Sequence, residues 1–126
     1  MNILVDTSVW VNHFRFPHTQ LITLLEQDRV LTHPMIVLEL ACGTPPAPRA
    51  RTLADIGLLQ SATQASLPEV MDFIEREKLY GLGCGLVDMA LLASTLITPS
   101  TQLWTEDKRL AHLAQRFGVL HQILLH

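Results

Sequence analysis

Three carboxylates stand where a folded chain has little reason to keep them, and a fourth lies shortly after an apolar run. Asp6 is the only ionisable side chain between Met1 and Val11, and Glu39 is the only charged residue between Pro34 and Pro48. Asp88 is the only charged residue between Gly81 and Gln102, whereas Asp107 sits among polar neighbours in Thr-Glu-Asp-Lys-Arg and is the more readily explained as a helix-start acid. Ordinary surface acids sit among other polar residues, as Asp72, Glu75 and Glu77 do here. A lone carboxylate on an apolar element is costly to bury unless it is paired or holds a metal. Acids gathered in one place repel one another unless cations screen them, and oxygen-only donors suit Mg²⁺ or Mn²⁺ rather than zinc. Such ions activate water and steady an in-line displacement at phosphorus.

Each acid also has an ordinary structural explanation. Asp6 and Asp88 are placed to cap the helices that follow them, and Asp107 is a helix-start acid. Glu39 is compatible with an exposed position on an otherwise buried helix. Their placement along the chain argues for more. Residues 1–5 form an aliphatic run that reads as a strand buried on both faces and stops at Asp6. Thr7 and Ser8 then offer capping hydroxyls for a helical turn over 9–14. Leu21, Leu24 and Leu25 recur at helical spacing, 30–32 reads as a second strand, and Pro34 opens a helix that Gly43 can end.

Three prolines within 44–48 make a loop, read as a connection inside one domain. Residues 49–58 read as a helix, and the stretch to Ser66 is ambiguous. A charged amphipathic helix starts at Leu67 or Pro68, with Val70, Phe73, Ile74 and Leu79 on its apolar side, and Gly81, Gly83 and Gly85 break it. An apolar helix over 86–97, a strand over 102–105, a helix over 108–117 and a last strand over 119–123 complete the chain.

This alternation predicts one α/β domain over 1–126, a small doubly wound parallel sheet of about four to five strands flanked by helices. Its connections should be right-handed crossovers, and ligands bind beyond the carboxyl ends of such strands. Asp6 and 105–107 follow strands directly, Asp88 begins a helix, and Glu39 lies about one turn inside one. All four are therefore expected on the same edge of the sheet.

The 126 residues suffice for a single core. Twelve acidic against nine basic residues give a net charge of -3, so any nucleic-acid contact must rest on a local basic patch and bound cations. Cys42 and Cys84 lack metal or redox spacing and read as buried free thiols. No basic leader and no apolar run of about 18 residues is present, so a soluble, cytoplasmic protein without a membrane partner is expected. The six histidines include no HxxxH or HExxH pair, and Gly81, Gly83 and Gly85 follow a helix rather than a strand, which disfavours a dinucleotide site.

Ile-Leu-Val-Asp-Thr-Ser-Val-Trp at 3–10 resembles the first motif of PIN-domain nucleases, and Val-Leu-Glu-Leu at 37–40 their second acidic position. Leu-Val-Asp-Met-Ala-Leu-Leu-Ala at 86–93 is similar to the third motif, and Leu-Trp-Thr-Glu-Asp-Lys-Arg-Leu at 103–110 to the fourth. Order, spacing and length match the VapC-like toxin branch over essentially the whole chain. The resemblance implies a Mg²⁺- or Mn²⁺-dependent endoribonuclease toxin, usually a homodimer and normally held inactive by a cognate antitoxin. It implies Asp6, Glu39, Asp88 and Asp107 as the metal-site acids, with hydroxyl support from Ser8 or Thr7 and from Thr105. The glycines before Asp88 depart from the family pattern, which often has Ser there.

Candidate phosphate contacts are Arg15, Arg49, Arg51, Lys108 and Arg109. Trp10 and Trp104 sit in apolar runs and read as core. Rival readings are a DNA- or structure-specific nuclease with the same chemistry and a catalytically inert partner-binding module. A phosphoacceptor receiver domain would want paired acids after the first strand, where Asp6 stands alone.

Overall fold

The computed structural model describes residues 1–123, and the last three residues of the expected 1–126 domain lie outside them. Three parallel strands, β1 (Asn2–Val5), β2 (Val30–Leu31) and β3 (Thr101–Trp104), form a sheet in the order β2-β1-β3. Among the described residues, seven helices flank it: α1 (Thr7–Arg15), α2 (Thr19–Glu26), α3 (Pro34–Cys42), α4 (Arg49–Gly57), α5 (Leu67–Glu77), α6 (Leu86–Ile97) and α7 (Lys108–Arg116). β1 is central, and Ile3, Leu4 and Val5 are fully buried, as a strand covered on both faces must be.

Both sheet edges are extended by single parallel bridges. Ser61 pairs with Thr32 beyond β2, and Leu120 pairs with Leu103 beside β3. The Leu103 N–H donates to Val119 O at 2.7 Å, and the His121 N–H donates to Leu103 O at 2.8 Å. Counting the bridges, five parallel stretches lie side by side. The ambiguous stretch before Ser66 thus supplies one edge, and the expected strand over 119–123 is reduced to a bridge on the other.

Local chemistry sets the helix starts. Ser66 and Glu69 form a reciprocal capping box that starts α5 at Leu67. His33 caps α3 with Pro34 at its first position, its Nδ1 accepting from the Met35 N–H at 3.1 Å. The remaining ring proton is then on Nε2, which faces Ser94 Oγ at 3.2 Å. Ser94 Oγ also accepts the Ala65 N–H, so one buried pair ties β2, α6 and the 59–66 stretch together. Trp10 and Trp104 are buried, at 4% and 1% exposure, which makes them core side chains rather than base-stacking platforms. Both cysteines are free, but only Cys84 is part-buried; Cys42, near the end of α3, is exposed, contrary to expectation. Among the described residues, no helix is long and apolar enough to cross a membrane.

Candidate active site at the carboxyl edge of the sheet

The topology delivers the acids to one edge. Asp6 follows the last residue of β1, and Asp107 lies three residues beyond the end of β3. α3 departs from the carboxyl end of β2, so Glu39 lies a little over one turn from that edge. α6 runs back to the start of β3 through a short turn, which puts its own start, and Asp88, at the far end beside the other acids.

Asp6 is 5% exposed and occupies the N-cap position of α1, yet its side chain makes no cap hydrogen bond. Its Oδ2 instead accepts from Thr105 Oγ1 at 2.7 Å and from Ser8 Oγ at 2.8 Å. Each hydroxyl has one proton, and Asp6 takes both, so the 3.3 Å between Ser8 Oγ and Thr105 Oγ1 is an approach without a proton of its own. The lone pairs are used as well. Ser8 Oγ accepts the Glu106 N–H at 2.9 Å, and Thr105 Oγ1 accepts the Asp107 N–H at 3.0 Å. Two hydroxyls therefore hold a buried carboxylate and, with their other side, shape the turn that carries Asp107.

Glu39 is exposed, but its Oε1 accepts from Thr7 Oγ1 at 2.7 Å, which ties α3 to the start of α1. Asp107 is also exposed and does cap α7, its Oδ1 accepting from the Arg109 and Leu110 N–H groups. Asp88 reaches back to the Gly85 N–H at 3.3 Å, so the glycine-rich entry to α6 still supplies the helix start that a Ser would have given.

The electrostatics bind the four together. Burial pushes the Asp88 carboxyl above the ordinary aspartate range, partly offset by the Gly85 N–H, and the charges of Asp6, Asp107 and Glu39 push it further up. Acids from four separate elements thus share one field. Burial also raises the Cys84 thiol, as do Asp88 and Asp107, while Arg109 works in the opposite direction. The neighbouring sulfur stays protonated, and the available donors are oxygens.

Among the described residues, no three His, Cys, Asp or Glu side chains form a ready-made metal cage. Mg²⁺ does not require one: it keeps several waters and takes one or two carboxylates together with substrate phosphates. The oxygen-only donor set and the mutual repulsion felt at Asp88 fit such an ion. A hollow of about 500 Å³ opens beside Glu39, walled in part by Phe14, Arg15, Leu40 and Pro45.

All six predicted site residues lie on this edge and share one hydrogen-bonded or electrostatic neighbourhood around Asp6 and Asp88. The candidate cations divide. Arg49 donates to Ala41 O and Gly43 O, and Arg51 pairs with Asp55 at 3.9 Å, so both have local structural roles. Lys108 and Arg109 border a groove with His112 and Arg116, neither of which stood out in the sequence as a site residue. Their helical spacing from Arg109 was the available signal.

A family model described as "PIN domain" matches residues 3–116 of the chain. Two curated relatives, both named Ribonuclease VapC32, from Mycobacterium tuberculosis strains CDC 1551 / Oshkosh and ATCC 25618 / H37Rv, are each 38% identical over 117 residues. Each match covers 93% of this chain and 94% of the relative. With its parallel sheet, its four acids in order and this likeness from end to end, the chain belongs to the PIN-domain family and to its VapC-like branch.

Proposed function

We propose that this protein is a Mg²⁺- or Mn²⁺-dependent endoribonuclease, the toxin of a toxin–antitoxin pair, which cleaves RNA phosphodiester bonds at the Asp6–Glu39–Asp88–Asp107 edge. The observation that supports this most is the delivery of four acids by four elements to one edge of the sheet, where Asp88, already pushed up by burial, also feels the charges of the other three. Capping accounts for Asp88 and Asp107 singly, but it does not require Asp6 and Glu39 on the same edge, whereas metal-assisted cleavage of a phosphodiester does. The name ribonuclease on the relatives adds the substrate class.

Asp6, Glu39 and Asp88 would hold one divalent ion, with Asp107 helping to hold a second or orienting water. When bound, such an ion polarises a phosphate and lowers the pKa of attacking water. The chain's own residues supply position. The Thr105 and Ser8 hydroxyls fix the Asp6 carboxylate in one orientation, and Thr7 fixes Glu39. Both hydroxyls donate to the same carboxylate oxygen, Oδ2, so they constrain the orientation of a side chain that is buried. A cognate antitoxin, a homodimeric state and a cytoplasmic location complete the proposal.

Parallel digests of single-stranded RNA, double-stranded RNA and single-stranded DNA with Mn²⁺ test the substrate class. Internal cuts in RNA and none in DNA are expected. Equal cutting of DNA, or intact RNA beside cut DNA, would overturn the ribonuclease assignment.

A further inference from the structure

We infer that the groove along α7 carries the RNA backbone away from the acids on one side of the cut bond, through Lys108, Arg109 and Arg116. This rests on the ribonuclease reading and extends it to the path of the substrate. The groove, about 420 Å³, is walled by Leu82, Lys108, Arg109, His112, Leu113 and Arg116. Its cations span about 12 Å of helix axis, enough for more than one phosphate.

Three observations point to a polyanion continuous with the active site. First, the groove begins there: Asp107 caps α7, and Arg109 follows two residues later. Second, Arg109 has a built seat. Its side chain lies on the backbone of Gly83, where a Cβ would meet Nη1 at 2.8 Å and Cδ and Cζ at 3.0 Å, and Gly83 has a φ of +84°. Arg109 Nη1 also reaches Gly83 O at 3.5 Å. The Gly83–Gly85 stretch leads straight into the helix that presents Asp88, so this guanidinium lies between the elements of two site acids. Third, the cations have no carboxylate partner among the described residues. The ion pairs among the described residues are Arg51–Asp55, Arg76–Asp72 and Arg76–Glu77, and none uses an α7 side chain. Arg116 instead lies over the Phe117 ring at 5.2 Å and donates to Glu77 O at 3.4 Å, leaving its charge uncompensated.

A chain with a net charge of -3 that leaves three cations on one helix without acid partners among the described residues has an uncommon local surplus of positive charge. Beside four carboxylates that repel RNA, such a surplus attracts flanking phosphates and offsets the repulsion. Leu82 and Leu113 give the groove an apolar wall, which tolerates any base and selects none. The track therefore reads backbone, not sequence.

The test uses Asp6→Asn as a non-cutting background and a short fluorescent single-stranded RNA, with anisotropy measured across a range of salt. The comparison is Lys108→Gln with Arg116→Gln against Arg29→Gln with Arg76→Gln, all with thermal melts to verify folding. The α7 pair should weaken binding about tenfold at low salt and flatten the salt slope by about 1.4, roughly 0.7 for each phosphate no longer neutralised. The control pair should leave both unchanged. Unchanged affinity and slope in the folded α7 variant would overturn the track and leave the groove to another ligand, such as an acidic protein segment. An equal loss in the control pair would overturn it too, because the attraction would then be general. If the parent cuts no RNA but the α7 pair alone shifts the slope, the ribonuclease reading fails and the track stands.

Discussion

Replacing Thr105 with valine removes one hydroxyl from a buried carboxylate and keeps the side chain's volume and branching. Thr105 is 8% exposed, and its Oγ1 makes the shorter of the two hydroxyl hydrogen bonds to Asp6 Oδ2, at 2.7 Å. A hydrogen bond to a charged group contributes about 1.5–3 kcal/mol net. Ser8 still donates to the same oxygen, so Asp6 is under-solvated rather than abandoned. The Asp107 N–H also loses its acceptor, but Asp107 is exposed and water replaces it at little cost. The expected loss is therefore about 2 kcal/mol, or about 8 °C in Tm at roughly 4 °C per kcal/mol for a chain of this length.

Activity should fall further than stability implies. The lost hydroxyl orients Asp6 and shapes the turn to Asp107, and removing such supporting groups at metal sites typically costs about 10–100-fold. Thr105→Ser, which keeps the hydroxyl, should retain most of the rate. The assay is a melt without metal, paired with RNA cleavage well below the variant's Tm. Parental cleavage and stability in Thr105→Val would refute the idea that this hydroxyl positions the site.

Further consequences follow from the same structure. Asp88→Asn should abolish cleavage yet raise the Tm of the metal-free protein, by about 0.5–2 kcal/mol in stability, because it removes a charge that burial and three acids oppose; a lower Tm would contradict the repulsion. His33 is held neutral by burial, its pKa below the ordinary value, so the unfolded chain takes up its proton first as pH falls. Its contribution to stability is full above about pH 6.5 and shrinks as the pH drops below that, so denaturant melts of parent and His33→Gln should converge from about pH 7 to about pH 5. A constant difference would mean that His33 titrates alike in both states. Gly83→Ala should cost about 1–2 kcal/mol through its left-handed φ and displace Arg109, read as a lower Tm together with weaker RNA binding.

Much of this was legible in the sequence, for physical reasons that differ by element. β1 announced itself because a strand buried on both faces must be apolar until it ends, and it ends at Asp6. α3 had an explicit start signal in Pro34, while the start of α5, expected at Leu67 or Pro68, is set at Leu67 by the Ser66–Glu69 pair. The 59–66 stretch had no periodicity to read, since it joins the sheet through backbone hydrogen bonds at Thr32 rather than through a patterned face. The final stretch was apolar enough for a strand but forms only a bridge at Leu120.

At the site, Asp6, Glu39 and Asp88 were visible as charge isolated in apolar surroundings, whereas Asp107 sits in a charged segment and was visible through its place shortly after a strand and the family resemblance. Their partners were not: Thr7 meets Glu39 across 32 residues, and Thr105 meets Asp6 across 99. The expected cap at Asp6 is absent, its carboxylate being turned toward two hydroxyls instead, while the cap at Asp107 is real and coexists with its place in the field at Asp88. A structural and a chemical role need not exclude each other.

We propose above all that Asp6, Glu39 and Asp88, with Asp107 beside them, bind the divalent metal that cuts RNA. The most direct test of this is cleavage by purified, antitoxin-free protein with Mg²⁺ or Mn²⁺, with EDTA, and with Asp6→Asn and Asp88→Asn, each verified to be folded. The predicted result is cutting that requires the metal, stops with EDTA and disappears in both variants. Cutting at the parental rate by either folded variant, or undiminished in EDTA, would contradict it.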